Sequence, residues 1–158
     1  MSHNNNPPKA PIAHLVCSPC NEAIEFYKNA FDAEEVQKVP SPDGKKVMHA
    51  CLKLDGGFIF LVDDFPEFNP DGKSLSPQSL GGSCVTIHRQ VKDCDAAFKQ
   101  AIKSGAKSRM EPEDTFWGDR YGVITDPFGH YWSIAHHIRE VSEDDIEQYM
   151  KNEFTDKC

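Results

Sequence analysis

The chain has 158 residues, 39% hydrophobic and 27% charged, which fits one globular domain or two small modules sharing a core and excludes a disordered chain or a large second domain. Lys and Arg number 17 against 25 Asp and Glu, so the formal charge of −8 repels a phosphate backbone and argues against nucleic acid as a partner. No run approaches the ~20 apolar residues that span a bilayer, and the start lacks the apolar core of an export signal, so the expectation is a cytoplasmic protein with no membrane partner.

In that compartment the cysteines Cys17, Cys20, Cys51, Cys84, Cys94 and Cys158 are expected as free thiols. Residues 1–11, rich in Asn and Pro and without an apolar period, read as a flexible leader. Ile12 to Cys17 is a β-type run, and after Ser18-Pro19 the spacing of Ala23, Ile24, Tyr27 and Phe31 predicts an amphipathic helix over 21–31. Glu35–Val39, Lys46–Leu54 and Phe58–Val62 read as three strands, joined through turns at Ser41-Pro42-Asp43-Gly44 and Asp55-Gly56-Gly57. Residues 12–64 thus form one βαβββ module.

Residues 65–82 concentrate Pro, Gly, Ser and Asn and read as a linker. The order then repeats over 83–137: a strand at Ser83–Gln90, a helix at Asp93–Ser104, and strands at Ser108–Glu111, Arg120–Asp126 and Tyr131–Ala135. One constant offset lays His14 on His88, Cys20 on Cys94, Ala23 on Ala97 and Ile24 on Phe98. In the last part, 138–158, Ser142 as N-cap, acids in the first turn and an Ile146, Tyr149, Met150 face predict a docked terminal helix and a tail.

The expected fold is α+β: two βαβββ modules forming curved mixed sheets around a cleft, with helices on the outer faces. Side chains alternate along a strand, so Leu15 shares a face with Ala13 and Cys17, and His14 takes the other with Ile12 and Val16. By the same parity Val85 and Ile87 turn to the helix side and His88 away from it. Two equivalent histidines then look into the cleft, whose expected lining is His14, Phe58, Phe60, His88, Trp117, Arg120 and Tyr131.

The most distinctive stretch runs from Phe116-Trp117-Gly118-Asp119-Arg120 to Asp126-Pro127-Phe128-Gly129-His130-Tyr131-Trp132, two strands joined by a Pro-Phe-Gly β-turn. Arg120 admits two readings, a surface ion pair or a grip on a ligand anion. His14 and His88 could hold a metal, move a proton or only hydrogen-bond in the cleft. The central strand Phe58–Val62 offers no carboxylate, and His49 and Cys51, alternating on one strand, are the substitute donors. Cys17-Ser18-Pro19-Cys20 has redox or zinc spacing without a second pair. Asp63-Asp64 and the Glu111, Glu113, Asp114 group read as solvated acids.

The segments AIEFYKNAFDAEE, SLGGSCVTIH and FWGDRYGVITDPFGHYWSIAHH, set in a βαβββ repeat, resemble the vicinal-oxygen-chelate superfamily of glyoxalase, bleomycin-resistance and dioxygenase proteins, and within it the PhnB-like branch. The resemblance covers roughly 12–137 and implies paired modules, a homodimer, and a cleft that in metal-dependent relatives holds a divalent ion. It also implies that the His, Glu, His, Glu ligand positions of the glyoxalases fall on Ile12, Phe60, Thr86 and Ser133, with His14 and His88 two residues beyond the first and third.

Two functions follow as expectations. One is a protein that binds a small organic molecule in an aromatic cleft without the glyoxalase metal set. The other is a metal-dependent lyase, isomerase or dioxygenase acting on vicinal oxygens, with Zn, Ni, Mn or Fe held by His14 and His88.

Overall fold

The alternation and helical spacing of each half fold as expected over 10–155, the residues that the computed structural model describes; nine of the leader's eleven residues lie outside them. The first half comprises β1 (Ala13–Val16), α1 (Cys20–Phe31), β2 (Glu34–Pro40), β3 (Val47–Leu54) and β4 (Gly57–Val62). A 3-10 turn at Pro66–Phe68 and the one-turn helix α2 (Pro77–Leu80) then interrupt a stretch expected to be without structure. The second half comprises β5 (Thr86–Gln90), α3 (Cys94–Lys103), β6 (Lys107–Asp114), β7 (Asp119–Thr125) and β8 (Tyr131–His137), with α4 (Glu143–Thr155) after it.

Each half forms a four-stranded mixed sheet, in the orders β1-β4-β3-β2 and β5-β8-β7-β6. The parallel pairs β1/β4 and β5/β8 need a long crossover, which begins with α1 in one half and α3 in the other; the remaining pairs are antiparallel. The tightest hairpin, β3 to β4, turns on Asp55 and Gly56 with φ of 48° and 80°, the two left-handed residues of a type I′ turn.

α1 buries Ala23, Ile24, Tyr27, Ala30 and Phe31 along the predicted stripe and ends where Asp32 enters the left-handed region at φ 55°. Both helices start on side chains from elsewhere in the chain. The Cys20 N–H donates to Asp63 Oδ1 (3.1 Å) and the Cys94 N–H to His136 Nδ1 (2.9 Å), while Asp93 caps α3 by accepting from the Ala96 N–H. Asp63 is therefore buried and structural, not solvated as its position beside a turn suggested; its other oxygen accepts from the Val47 N–H at 2.7 Å.

The helix-bearing faces of the two sheets share one core in which α1 packs on α3. Phe31 of α1 meets Trp132 of β8 at 4.8 Å between ring centroids. Polar contacts also fasten the halves: Tyr27 donates to Asp126, and buried Arg89 of β5 makes a two-nitrogen ion pair with Asp55, its guanidinium 4.2 Å over the Phe31 ring.

Two expectations fail here. Val85 is 61% exposed, because β5 begins at Thr86, past Val85, and the helix side at this end of the sheet begins with Ile87. α4 forms, with Ser142 accepting from the Asp145 N–H, but its face is not buried: Tyr149 stacks on Phe116 at 4.3 Å and remains 43% exposed, and Met150 is 39% exposed.

Candidate functional site

With the helices on one side of each sheet, alternation leaves an open face on the other. On the first sheet that face carries His14 of β1 beside Phe60 of β4, which are register partners, with Phe58 further along β4. His49 joins them from β3, where it alternates with buried Ala50 and shares the face of Cys51, the register partner of Phe60. The His49 ring lies 4.9 Å from Phe60 and 6.2 Å from His14, both edge-on, and His14 lies 6.0 Å from Phe60.

Beside this ring cluster is a groove of roughly 450 Å³, floored by His14, Val16 and Val62 and walled by Phe65, Phe68 and Leu75 of the linker. Asp64 holds the wall by accepting from Ser74 Oγ and the Leu75 N–H, so it too does structural work rather than being merely solvated. Partial burial, and then the nearby charge of His49, lower the pKa of His14 below the ordinary 6.5. At neutral pH it is an uncharged imidazole.

On the second sheet the equivalent histidine, His88, pairs in register with Ser133, as His14 pairs with Phe60. Its Nδ1 is 2.8 Å from Ser133 Oγ and its Nε2 is 3.1 Å from Gln90 Oε1. Tyr121 stacks on it at 6.3 Å, and Trp117 closes on Tyr121 edge-to-face at 5.7 Å. Tyr131 stands on the same face, at the other end of the sheet, under the guanidinium of Arg109.

The expected lining thus divides into two groups, His14, Phe58 and Phe60 on one sheet and His88, Trp117 and Tyr131 on the other. A single chain does not bring the two groups together: both histidines are exposed, on faces opposite the shared core. Arg120 leaves the site altogether. Buried Ile124 fixes the helix side of β7, and Arg120, four residues earlier, shares that side, where Asp95 of α3 and Asp114 hold it in ion pairs of 2.7 and 2.9 Å. Those two carboxylates push its pKa upward.

Sequence reading missed Arg109, Tyr121 and the linker phenylalanines. The signal for Tyr121 was present, since it alternates with Arg120 and Gly122; the turn of Arg109 depends on a register shift that sequence does not mark. Cys17 and Cys20 are buried, and so are Cys51 and Cys94; Cys84 is exposed, and all five are free thiols. Burial first and the Asp63 carboxylate second push the Cys20 thiol up to about 12, which removes the reactivity its spacing suggested.

Two βαβββ halves on a common helical core, each presenting a ring-lined open face, define the paired-module class of α+β proteins. The sequence profile of the Glyoxalase/Bleomycin resistance protein/Dioxygenase superfamily matches residues 11–134, and the chain belongs to that superfamily. It is 47% identical over 153 residues to the Mycobacterium tuberculosis protein Rv0887c, covering 97% of this chain and 88% of that one. The X-ray structure of the Arabidopsis thaliana At5g48480 product superposes with a TM-score of 0.63 at 29% identity, over 81% of this chain and 98% of that one. The fold is also that of the fosfomycin resistance protein FosX from Listeria monocytogenes, solved with Mn(II) and sulfate, at a TM-score of 0.60 and 16% identity over 89% of this chain and 96% of that one.

Proposed function

We propose that the protein binds a small organic molecule between its ring-lined open faces, and that a second copy of the chain closes them as a homodimer. The observation that carries this reading is the His14, His49, Phe60 cluster beside a groove walled by Phe65 and Phe68. Aromatic rings, uncharged imidazole and a partly covered concavity suit a flat organic ligand. The open faces also leave Val39, Met48, Phe68 and Leu75 exposed to between 37% and 69%, apolar surface of the kind a partner copy covers.

The divalent ion of the family's metal-dependent members does not fit the residues of a single chain. Ile12 and Phe60 at the implied ligand positions have no donor atom, and Thr86 and Ser133 offer only hydroxyls. Among the described residues no three His, Cys, Asp or Glu side chains come together as a metal site. The residues of one chain therefore support binding of an organic ligand rather than chemistry at a metal.

The test is a thermal-shift screen of aromatic small molecules on the full chain, followed by calorimetric titration, with sedimentation to count subunits. Binding that His14→Ala and Phe60→Ala weaken at least tenfold, in a dimer, is the expected result. A monomer, or ligand affinity indifferent to both substitutions, overturns the reading.

A further inference from the structure

We infer that the second open face is selective for aromatic oxyanions, with Arg109 stacked on Tyr131 as the group that grips the negative charge. The inference rests on the binding reading above and adds the class of ligand.

The four arginines of the chain have different occupations. Arg89 is spent on Asp55, Arg120 on Asp95 and Asp114, and Arg139 donates to the Thr115 carbonyl at 3.4 Å. Arg109 is exposed and makes no ion pair or hydrogen bond among the described residues; its one contact of note is the Tyr131 ring, 4.0 Å from the guanidinium carbon. In a chain with 25 acidic residues against 17 basic ones, a guanidinium left without a carboxylate has its planar donor fork free. Stacking on a ring fixes the plane of that fork while its N–H groups stay available, the arrangement that favours a two-point grip on carboxylate or phosphate.

The backbone aims it there. β6 shifts register between Ser108 and Met110, so Arg109 is the extra residue of a bulge, a device that redirects a side chain. The same register sets Lys107 beside Thr125, on the face opposite buried Ile124, which adds a second cation at this end of the sheet. The acids of this face lie toward the other end of β7: Glu113 pairs with Tyr121, roughly 10 Å from Arg109 by strand rise, and Asp119 with His137, roughly 15 Å away. The rings of Tyr121 and His88 lie between the two ends. A ligand with an aromatic body and an anionic head has its head at Arg109 and its body on those rings.

The test is calorimetric titration of the full chain with 2-naphthoate, 2-naphthyl phosphate and neutral 2-naphthamide, on the wild type, Arg109→Gln and the control Arg120→Gln. Circular dichroism melts verify that each variant is folded. The expected result is at least tenfold tighter binding of one or both anions than of the amide, lost in Arg109→Gln while amide affinity stays within twofold, and kept in Arg120→Gln. Which anion binds tells carboxylate from phosphate as the head group. Equal affinity for anions and amide in the wild type, or a preference that survives Arg109→Gln, overturns the inference and leaves the binding reading standing. No binding by any of the three at millimolar concentration removes this inference; a wider screen that also finds no ligand removes the binding reading.

Discussion

Tyr27 of the first half donates its hydroxyl hydrogen to Asp126 of the second at 2.6 Å, inside a core where both residues are buried. The carboxylate is a hub: Trp132 Nε1 donates to it at 2.9 Å, as do the backbone N–H groups of Phe128 and His130. Asp126→Ala leaves these buried donors without an acceptor, and each such donor costs about 1–3 kcal/mol. The expected loss in urea denaturation is about 3–5 kcal/mol for Asp126→Ala and about 1–2 kcal/mol for Tyr27→Phe, which removes one bond and leaves the others.

The hub shows where sequence reading stops. Asp126 opens a Pro-Phe-Gly turn, and the turn was legible, as were the repeat, the hairpin at Asp55-Gly56 and the opposition of Leu15 to His14. All of these depend on neighbours a few residues away. The side-chain partners of Asp126 come from α1 and β8, and those of Arg120 from α3 and β6, so their roles depend on packing between elements. On β7, alternation sets Arg120 on the side of buried Ile124, which takes it away from the open face. The mutual distance of His14 and His88 was beyond sequence, since alternation gives the face of each sheet but not how the sheets are set against one another.

Thiol chemistry follows burial. In a Cys158→Ser background, which leaves only the described cysteines, iodoacetamide should label Cys84 in the native protein and reach Cys17, Cys20, Cys51 and Cys94 only after unfolding. Peptide mass mapping after a timed pulse reads the order directly. Prompt labelling of Cys20 under native conditions would contradict the buried thiol pair.

Those thiols also set an alkaline limit on stability. Burial, with Asp63 next, raises Cys20 from 9.0 to about 12, and burial, with Asp95 next, raises Cys94 from 9.0 to about 11. A raised folded-state pKa means that the unfolded chain releases its proton first, so stability is whole below pH 9 and declines as pH rises toward 11 and 12. Melting temperatures from pH 7 to 11 should be flat and then fall, with a shallower fall in Cys20→Ala whatever that variant's starting stability.

His14 gives the opposite sign. Its folded pKa is lowered, by partial burial and then by His49, so the stability it contributes is whole above the ordinary 6.5 and is lost as pH falls through the folded value. In an NMR titration the His14 ring should have a midpoint below 6.5, and His49→Gln should move it upward by removing the like charge. A midpoint that does not move in His49→Gln would separate the two rings electrostatically, against their 6.2 Å spacing.

The Trp117 hairpin depends on one backbone position. Gly118 sits at φ +102°, its carbonyl accepts from the N–H groups of Ile138 and Arg139, and a Cβ there would lie 2.2 Å from the Arg139 carbonyl oxygen. Left-handed strain and backbone overlap act together in Gly118→Ala, so the expected loss is about 3 kcal/mol, at the upper end for a single strained position. Because Gly118 fixes Trp117 against Tyr121, the emission of Trp117 should also shift toward that of a solvated indole, whereas buried Trp132 should keep its own. Trp132→Phe in the same background isolates the Trp117 signal, and an unchanged spectrum there means that the hairpin has found another route past Arg139.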